Sequence, residues 1–167
     1  TDSWYNKGIA LKALGRYEEA IKCYDKALQI DPDDSEVWGN KGNILHALEK
    51  YEEAIKCYDK AWQIDPDDVK AWYNKGNTLY KQKKYEEAIK CYDETIQIDP
   101  NDIKAWYNKG CILYNLEKYE EAIKWYDKVI QIDPNYADAK RNKEKTLKAL
   151  GRSPSDEIKS SNNKLKD

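Results

Sequence analysis

Histidine occurs once in these 167 residues, at His46, and methionine and phenylalanine do not occur at all. There is no Cys-x-x-Cys pair, no His-Glu-x-x-His helix and no glycine-rich phosphate loop, so the short patterns that hold metals, nucleotides or activated nucleophiles are absent. The chain is therefore expected not to be an enzyme and to need no cofactor and no metal. His46 alone offers a general base, and it reads instead as an exposed or groove-facing side chain. No apolar run approaches the roughly 20 residues of a membrane-spanning helix, and the amino terminus lacks the basic and apolar regions of a leader, which predicts a cytoplasmic location and no membrane partner. A net charge of -2 lacks the basic balance of a nucleic-acid binder, so no nucleic-acid partner is expected.

What is present is a repeat. Asp-Pro pairs at Asp31-Pro32, Asp65-Pro66, Asp99-Pro100 and Asp133-Pro134 recur every 34 residues, and the segments between them nearly superimpose. A fixed period of this length marks a stacked array of helical units. Four repeats fit, at 1–34, 35–68, 69–102 and 103–136. In each, a tryptophan (Trp4, Trp38, Trp72, Trp106) is followed four places on by glycine and three further on by leucine, the spacing of one helical face. A second helix repeats Tyr17, Ala20, Ile21, Tyr24 and Ala27 as Tyr51, Ala54, Ile55, Tyr58 and Ala61. Proline ends each second helix, and Asp34, Asp68 and Asp102 stand where they can accept the free N–H groups of the next. Between the two helices Gly15 suits a left-handed turn, whereas Glu49, Lys83 and Glu117 hold that place without glycine's freedom, which predicts local strain.

Cys23, Cys57 and Cys91 are 34 residues apart. Equivalent positions on packed helices lie roughly 8 to 10 Å apart or more, beyond disulfide reach, so buried reduced thiols are expected here and at Cys111.

These residues resemble the tetratricopeptide repeat family, whose signature of Trp, Leu, Gly, Tyr, Ala, aromatic, Ala and Pro is met nearly place by place in all four repeats. The resemblance implies an all-α, right-handed α-solenoid of four tandem 34-residue helix-turn-helix repeats. Lys7, Lys41, Lys75 and Lys109 depart from the family's leucine before the glycine, and their ammonium groups are expected to reach water along apolar stems. Residues 137–151 keep Ala139, Leu147 and Leu150 but place Lys140 and Glu144 where tryptophan and glycine belong, and read as a C-terminal capping helix. The polar stretch 152–167 is expected to be disordered.

In the resembled family the first helices line a concave surface, with side chains at places two, five, six, nine and twelve pointing into it. The candidate peptide-binding residues are accordingly Tyr5, Asn6, Asn40, Asn43, Lys70, Tyr73, Asn74, Asn77, Tyr80, Lys104, Tyr107, Asn108 and Tyr114. The ladder Asn6, Asn40, Asn74, Asn108 either holds the backbone of an extended peptide or bonds within the repeats and to water. The tyrosines supply anchors of low entropy cost, or ordinary helix surface. The family's co-chaperones clamp a terminal carboxylate. Asn43, Asn74 and Lys104 match that clamp, but Gly39 and Asn108 replace two of its cations, so tight binding of that kind is not expected.

Repeats one and two carry 9 basic and 15 acidic residues, repeats three and four 11 of each, and residues 137–167 carry 9 basic and 5 acidic. A protein or peptide partner with an acidic group toward repeats three and four would be complementary. The leading expectation is a protein-protein interaction module, an adaptor or scaffold that binds an extended peptide in its groove. The alternative is a self-associating scaffold, a homo-oligomer through the solenoid ends.

Overall fold

The computed structural model describes residues 2–152. The disorder expected for 152–167 falls, Arg152 apart, outside the described residues. Among these there are nine helices and no strand: α1 (Asp2–Ala13), α2 (Tyr17–Ile30), α3 (Ser35–Ala47), α4 (Tyr51–Ile64), α5 (Val69–Lys81), α6 (Tyr85–Ile98), α7 (Ile103–Asn115), α8 (Tyr119–Ile132) and α9 (Ala137–Ala149). The chain divides between Asp99 and Pro100 into two compact units, the first holding α1–α6 and the second α7–α9.

In the first unit α1 packs on α2, α3 on α4 and α5 on α6, with α2 also against α3, α4 against α5, and α3 touching α5. The second helix of each pair begins with two glutamates, Glu18-Glu19 in α2, which favour the positive end of the helix dipole. Helices α3 and α5 start on aspartate caps. Asp34 accepts from the Val37 N–H at 3.0 Å and Asp68 from the Lys70 N–H at 2.9 Å. Each hairpin closes with a left-handed residue, Gly15 at φ 72°, Glu49 at 59° and Lys83 at 60°. Around Glu49, its own N–H donates to the His46 carbonyl at 3.0 Å and the Lys50 N–H to the Leu45 carbonyl at 2.8 Å, so the freed carbonyls of α3 are satisfied.

The pairs are held by a tyrosine lying on a glycine. Tyr24, Tyr58 and Tyr92 are buried, and a Cβ on Gly42 would come within 2.7 Å of the Tyr58 ring, so only glycine admits this approach. Ala20, Ala54 and Ala88 are wholly buried at the neighbouring contacts. Cys23, Cys57 and Cys91 are free and buried, and burial pushes the Cys57 and Cys91 thiols up to about 11. The expectation that the lysines before the glycines end in water needs amending. Lys41 Nζ pairs with Asp25 at 2.6 Å and Lys75 Nζ with Asp59 at 2.5 Å, each joining a first helix to the second helix of the preceding pair.

The second unit uses the same devices. Asp102 caps α7 through the Ala105 N–H at 2.8 Å, Glu117 closes the hairpin at φ 59°, and Tyr126 covers Gly110. Helix α9 packs on α8 and touches α7, burying Ala139, Thr146 and Leu147, and Lys143 pairs with Asp127 at 2.7 Å.

Candidate functional site

Helix positions repeating along α1, α3 and α5 bring one side of the first unit together as a hollow of about 330 Å³. Its lining includes Tyr5 from α1, Asn40 and Asn43 from α3, and Lys70 and Asn74 from α5, five of the residues expected from the sequence. Ile9, Lys12, Glu36, Gly39, Asp68 and Ala71 complete the walls and rim.

Gly39 is what opens this hollow. The corresponding places on α1 and α5 carry Tyr5 and Tyr73, whereas a Cβ at Gly39 would meet nothing within 4 Å. A glycine inside a helix costs about 0.5–1 kcal/mol relative to alanine, and no close contact here demands one. The space is therefore left open by the residue itself and not by packing around it.

The polar groups are partly spent on the fold. Asn40 Nδ2 donates to the Tyr5 hydroxyl and to the Glu36 carbonyl, both at 3.1 Å, while its Oδ1 accepts from Lys12 Nζ at 3.2 Å. Asn43 Oδ1 accepts from the Tyr58 hydroxyl and from Asn74 Nδ2, each at 3.0 Å. Burial, with the Glu36 carboxylate nearby, pushes the Tyr5 phenol well above its ordinary range, so it stays protonated. The asparagines thus brace neighbouring helices and keep capacity in reserve. Asn43 Nδ2, Asn74 Oδ1 and the Lys70 ammonium have no partner among the described residues.

The other expected residues are placed as follows. Asn6 is exposed on α1 and does not line the hollow. On α5, Tyr73 lies 5.9 Å from the Tyr92 ring, Tyr80 lies 5.9 Å from the Tyr85 ring, and Asn77 accepts from the Tyr92 hydroxyl at 2.7 Å. Lys104, Tyr107, Asn108 and Tyr114 all stand on α7 in the second unit. There the Tyr107 hydroxyl accepts from Asn142 Nδ2 at 2.8 Å, the same contact that joins Asn40 to Tyr5. Asn142, 34 places after Asn108, is a further rung of the asparagine ladder that the sequence reading passed over.

His46 is tied down as well. Thr78 donates its only hydroxyl proton to the Asn74 carbonyl at 2.8 Å, so its 2.8 Å contact with His46 Nδ1 is made by a ring N–H donating to the hydroxyl oxygen. Burial, helped by the charge of Lys81, lowers the His46 pKa. Among the described residues no group of three or more His, Cys, Asp or Glu is placed to hold a metal ion, and no helix is long and apolar enough to cross a membrane.

Comparison with known proteins accounts for the arrangement. A family model described as Tetratricopeptide repeat matches residues 1–34, 69–102 and 103–136; a second of that description matches 23–56, and one described as TPR repeat matches 42–83. The chain belongs to the tetratricopeptide repeat family. Its fold class is that of the family, an all-α array of helix hairpins, and it is a protein-interaction module. The crystal structure of MamA protein is similar with a TM-score of 0.84 and 22% identity, over 90% of this chain and 82% of that one. That of YrrB, described as a TPR protein with an unusual peptide-binding site, is similar with a TM-score of 0.76 and 26% identity, over 90% and 78%. An uncharacterized protein of Methanocaldococcus jannaschii, MJ0572, is 50% identical over 30 residues, 18% of this chain. The match spans about a third of that relative, 35% of its length.

Proposed function

We propose that this tetratricopeptide repeat protein is a non-catalytic adaptor or scaffold that holds an extended segment of a partner protein in the hollow formed by α1, α3 and α5. The observation that carries the reading is the opening over Gly39, where a residue that nothing requires to be glycine leaves a hollow walled by Tyr5, Asn40, Asn43, Lys70 and Asn74. Asn43 Nδ2 would donate to the segment's backbone and Asn74 Oδ1 accept from it, a pairing that tolerates many sequences. Lys70, without an ion pair among the described residues, favours an acidic group nearby, and Tyr5 offers a rigid apolar wall. By the same reading Lys104, Tyr107, Asn108 and Tyr114 of α7 make partner contacts in the second unit. A relative that carries a peptide-binding site at 26% identity supports this use of the fold.

The test is to fill the opening with the residue that α1 and α5 carry there. Gly39→Tyr is expected to keep or raise thermal stability while abolishing recovery of the partner that wild-type protein retains in a pull-down, with Glu52→Gln as an outer-surface control. Undiminished recovery by Gly39→Tyr would remove this hollow from the mechanism.

Self-association through the ends is a second reading, favoured by the exposure of Leu14 and Ile30 in the α1–α2 pair, at 70% and 59%. Mass measured against concentration and salt separates the two: a constant monomer mass leaves only the peptide reading.

A further inference from the structure

Between α3 and α4, on the side of α3 opposite to Asn40 and Asn43, lies a larger hollow of about 470 Å³. Trp38, Leu45 and Cys57 are among its lining, with Lys41, Lys56 and Lys60 around them. Every residue lining it except Cys57 recurs unchanged 68 places on, in the α7–α8 pair, and there Trp125 stands in the cysteine's place. The chain thus contains a filled copy of its own open hollow. In the filled copy the Trp125 ring lies 6.3 Å from the Trp106 ring at 58°, with Lys109 Nζ 4.4 Å and Lys128 Nζ 4.2 Å from its centroid.

We propose that the hollow between α3 and α4 receives a tryptophan side chain from an acidic segment of a partner protein. The counterparts of Trp106, Lys109 and Lys128 are Trp38, Lys41 and Lys60, so the ring and the two lysines that surround Trp125 have their equivalents in the lining of the open hollow. Trp38 is held in place, its Nε1 donating to the Pro32 carbonyl at 2.9 Å. The equivalent hollow of the α1–α2 pair is smaller, about 220 Å³, and there Lys26 Nζ lies 4.1 Å from the centroid of Trp4. Lys60, its counterpart, sits over no ring among the described residues, so Trp38 carries Lys41 Nζ at 5.4 Å from its centroid where Trp4 carries both Lys7 and Lys26. The acidic character of the segment follows from charge. Lys41 is committed to Asp25, and Asp59 to Lys75, which leaves two lysines of the lining, Lys56 and Lys60, against one carboxylate, Glu53, without an ion pair among the described residues. An indole flanked by carboxylates would meet a cation–π pair and two unpaired ammonium groups together.

The test is a fluorine NMR titration of the full chain with a capped Asp-Asp-Trp-Asp-Asp peptide carrying a fluorinated indole. The fluorine signal is expected to shift saturably with wild-type protein and with Gly39→Tyr. Cys57→Trp, which fills the hollow from within as Trp125 does, should abolish the shift. Lys60→Glu, a change already present in the α5–α6 pair as Glu94, should weaken binding about five-fold or more. No saturable shift with wild-type protein, or a shift retained by a helical Cys57→Trp, overturns the proposal. Should Cys57→Trp lose its helical circular dichroism, Lys60→Glu decides, and unchanged affinity there overturns it too. Equal binding of a peptide with asparagine for aspartate would overturn the acidic partner. A dimer that Cys57→Trp dissolves would put a second copy in the hollow instead.

Discussion

The Tyr92 hydroxyl donates to the side-chain oxygen of Asn77 at 2.7 Å, and one pair earlier Tyr58 donates to Asn43 at 3.0 Å. Tyr24 is the same residue in the first pair, but Ile9 stands where the asparagine should be, and the buried hydroxyl has no partner among the described residues. Burial pushes that phenol up to about 12. Tyr24→Phe is therefore expected to leave stability unchanged or raise it, whereas Tyr92→Phe should lower it by roughly 0.5–1.5 kcal/mol for a typical lost hydrogen bond. Chemical denaturation compares them, and an equal loss would contradict the pairing with Asn77.

Glu49, Lys83 and Glu117 hold left-handed backbone without glycine, at φ near 60°. Residues other than glycine lose roughly 1 kcal/mol or more in that region. Glu49→Gly should raise the melting temperature by a few degrees, and Gly15→Ala, at φ 72°, should lower it. A Glu49→Gly protein that melts earlier than wild type would show that the glutamate is held by something other than the turn.

The lowered pKa of His46 gives a pH dependence with a definite sign. Above about pH 6.5 the ring is neutral folded and unfolded. Below that value the unfolded chain takes up the proton first, so stability falls with falling pH until the lower folded pKa is passed. The drop in melting temperature from pH 7 to pH 5.5 should be smaller for His46→Gln than for wild type. Identical drops would exclude any shift at His46.

Ala88 is wholly buried between helices, whereas Glu87 beside it is exposed. Ala88→Leu should overpack the contact and cost roughly 1 to 3 kcal/mol, while Glu87→Gln should be nearly silent in the same thermal melt.

The period and its chemistry were legible because each repeat restates the same local rules. Asp34, Asp68 and Asp102 are caps, and Glu49, Lys83 and Glu117 turn left-handed, as their places predict. What the sequence could not show depends on packing between repeats. Gly39 reads on paper as a missing cation, and only the empty space around its Cα shows it to be an opening. The lysines before the glycines read as solvent-bound, because Asp25 and Asp59 lie 16 residues away in the chain and come near only after the pairs stack. Asn142 was hidden by Lys140 and Glu144, which replace the tryptophan and glycine that anchor the register, although the interval of 34 from Asn108 was there to count. Nothing in the repeated sequence signals a division between Asp99 and Pro100.

In each unit the principal contacts join helices adjacent in the chain, with α3–α5 and α7–α9 the exceptions. Such wiring has a kinetic consequence. A hairpin needs only a short loop to close, and each closed hairpin becomes the surface on which the next condenses, so the entropy of ordering is met in small instalments. Folding can start at any hairpin and spread both ways, and a growing nascent chain can bury each hairpin before the next is made.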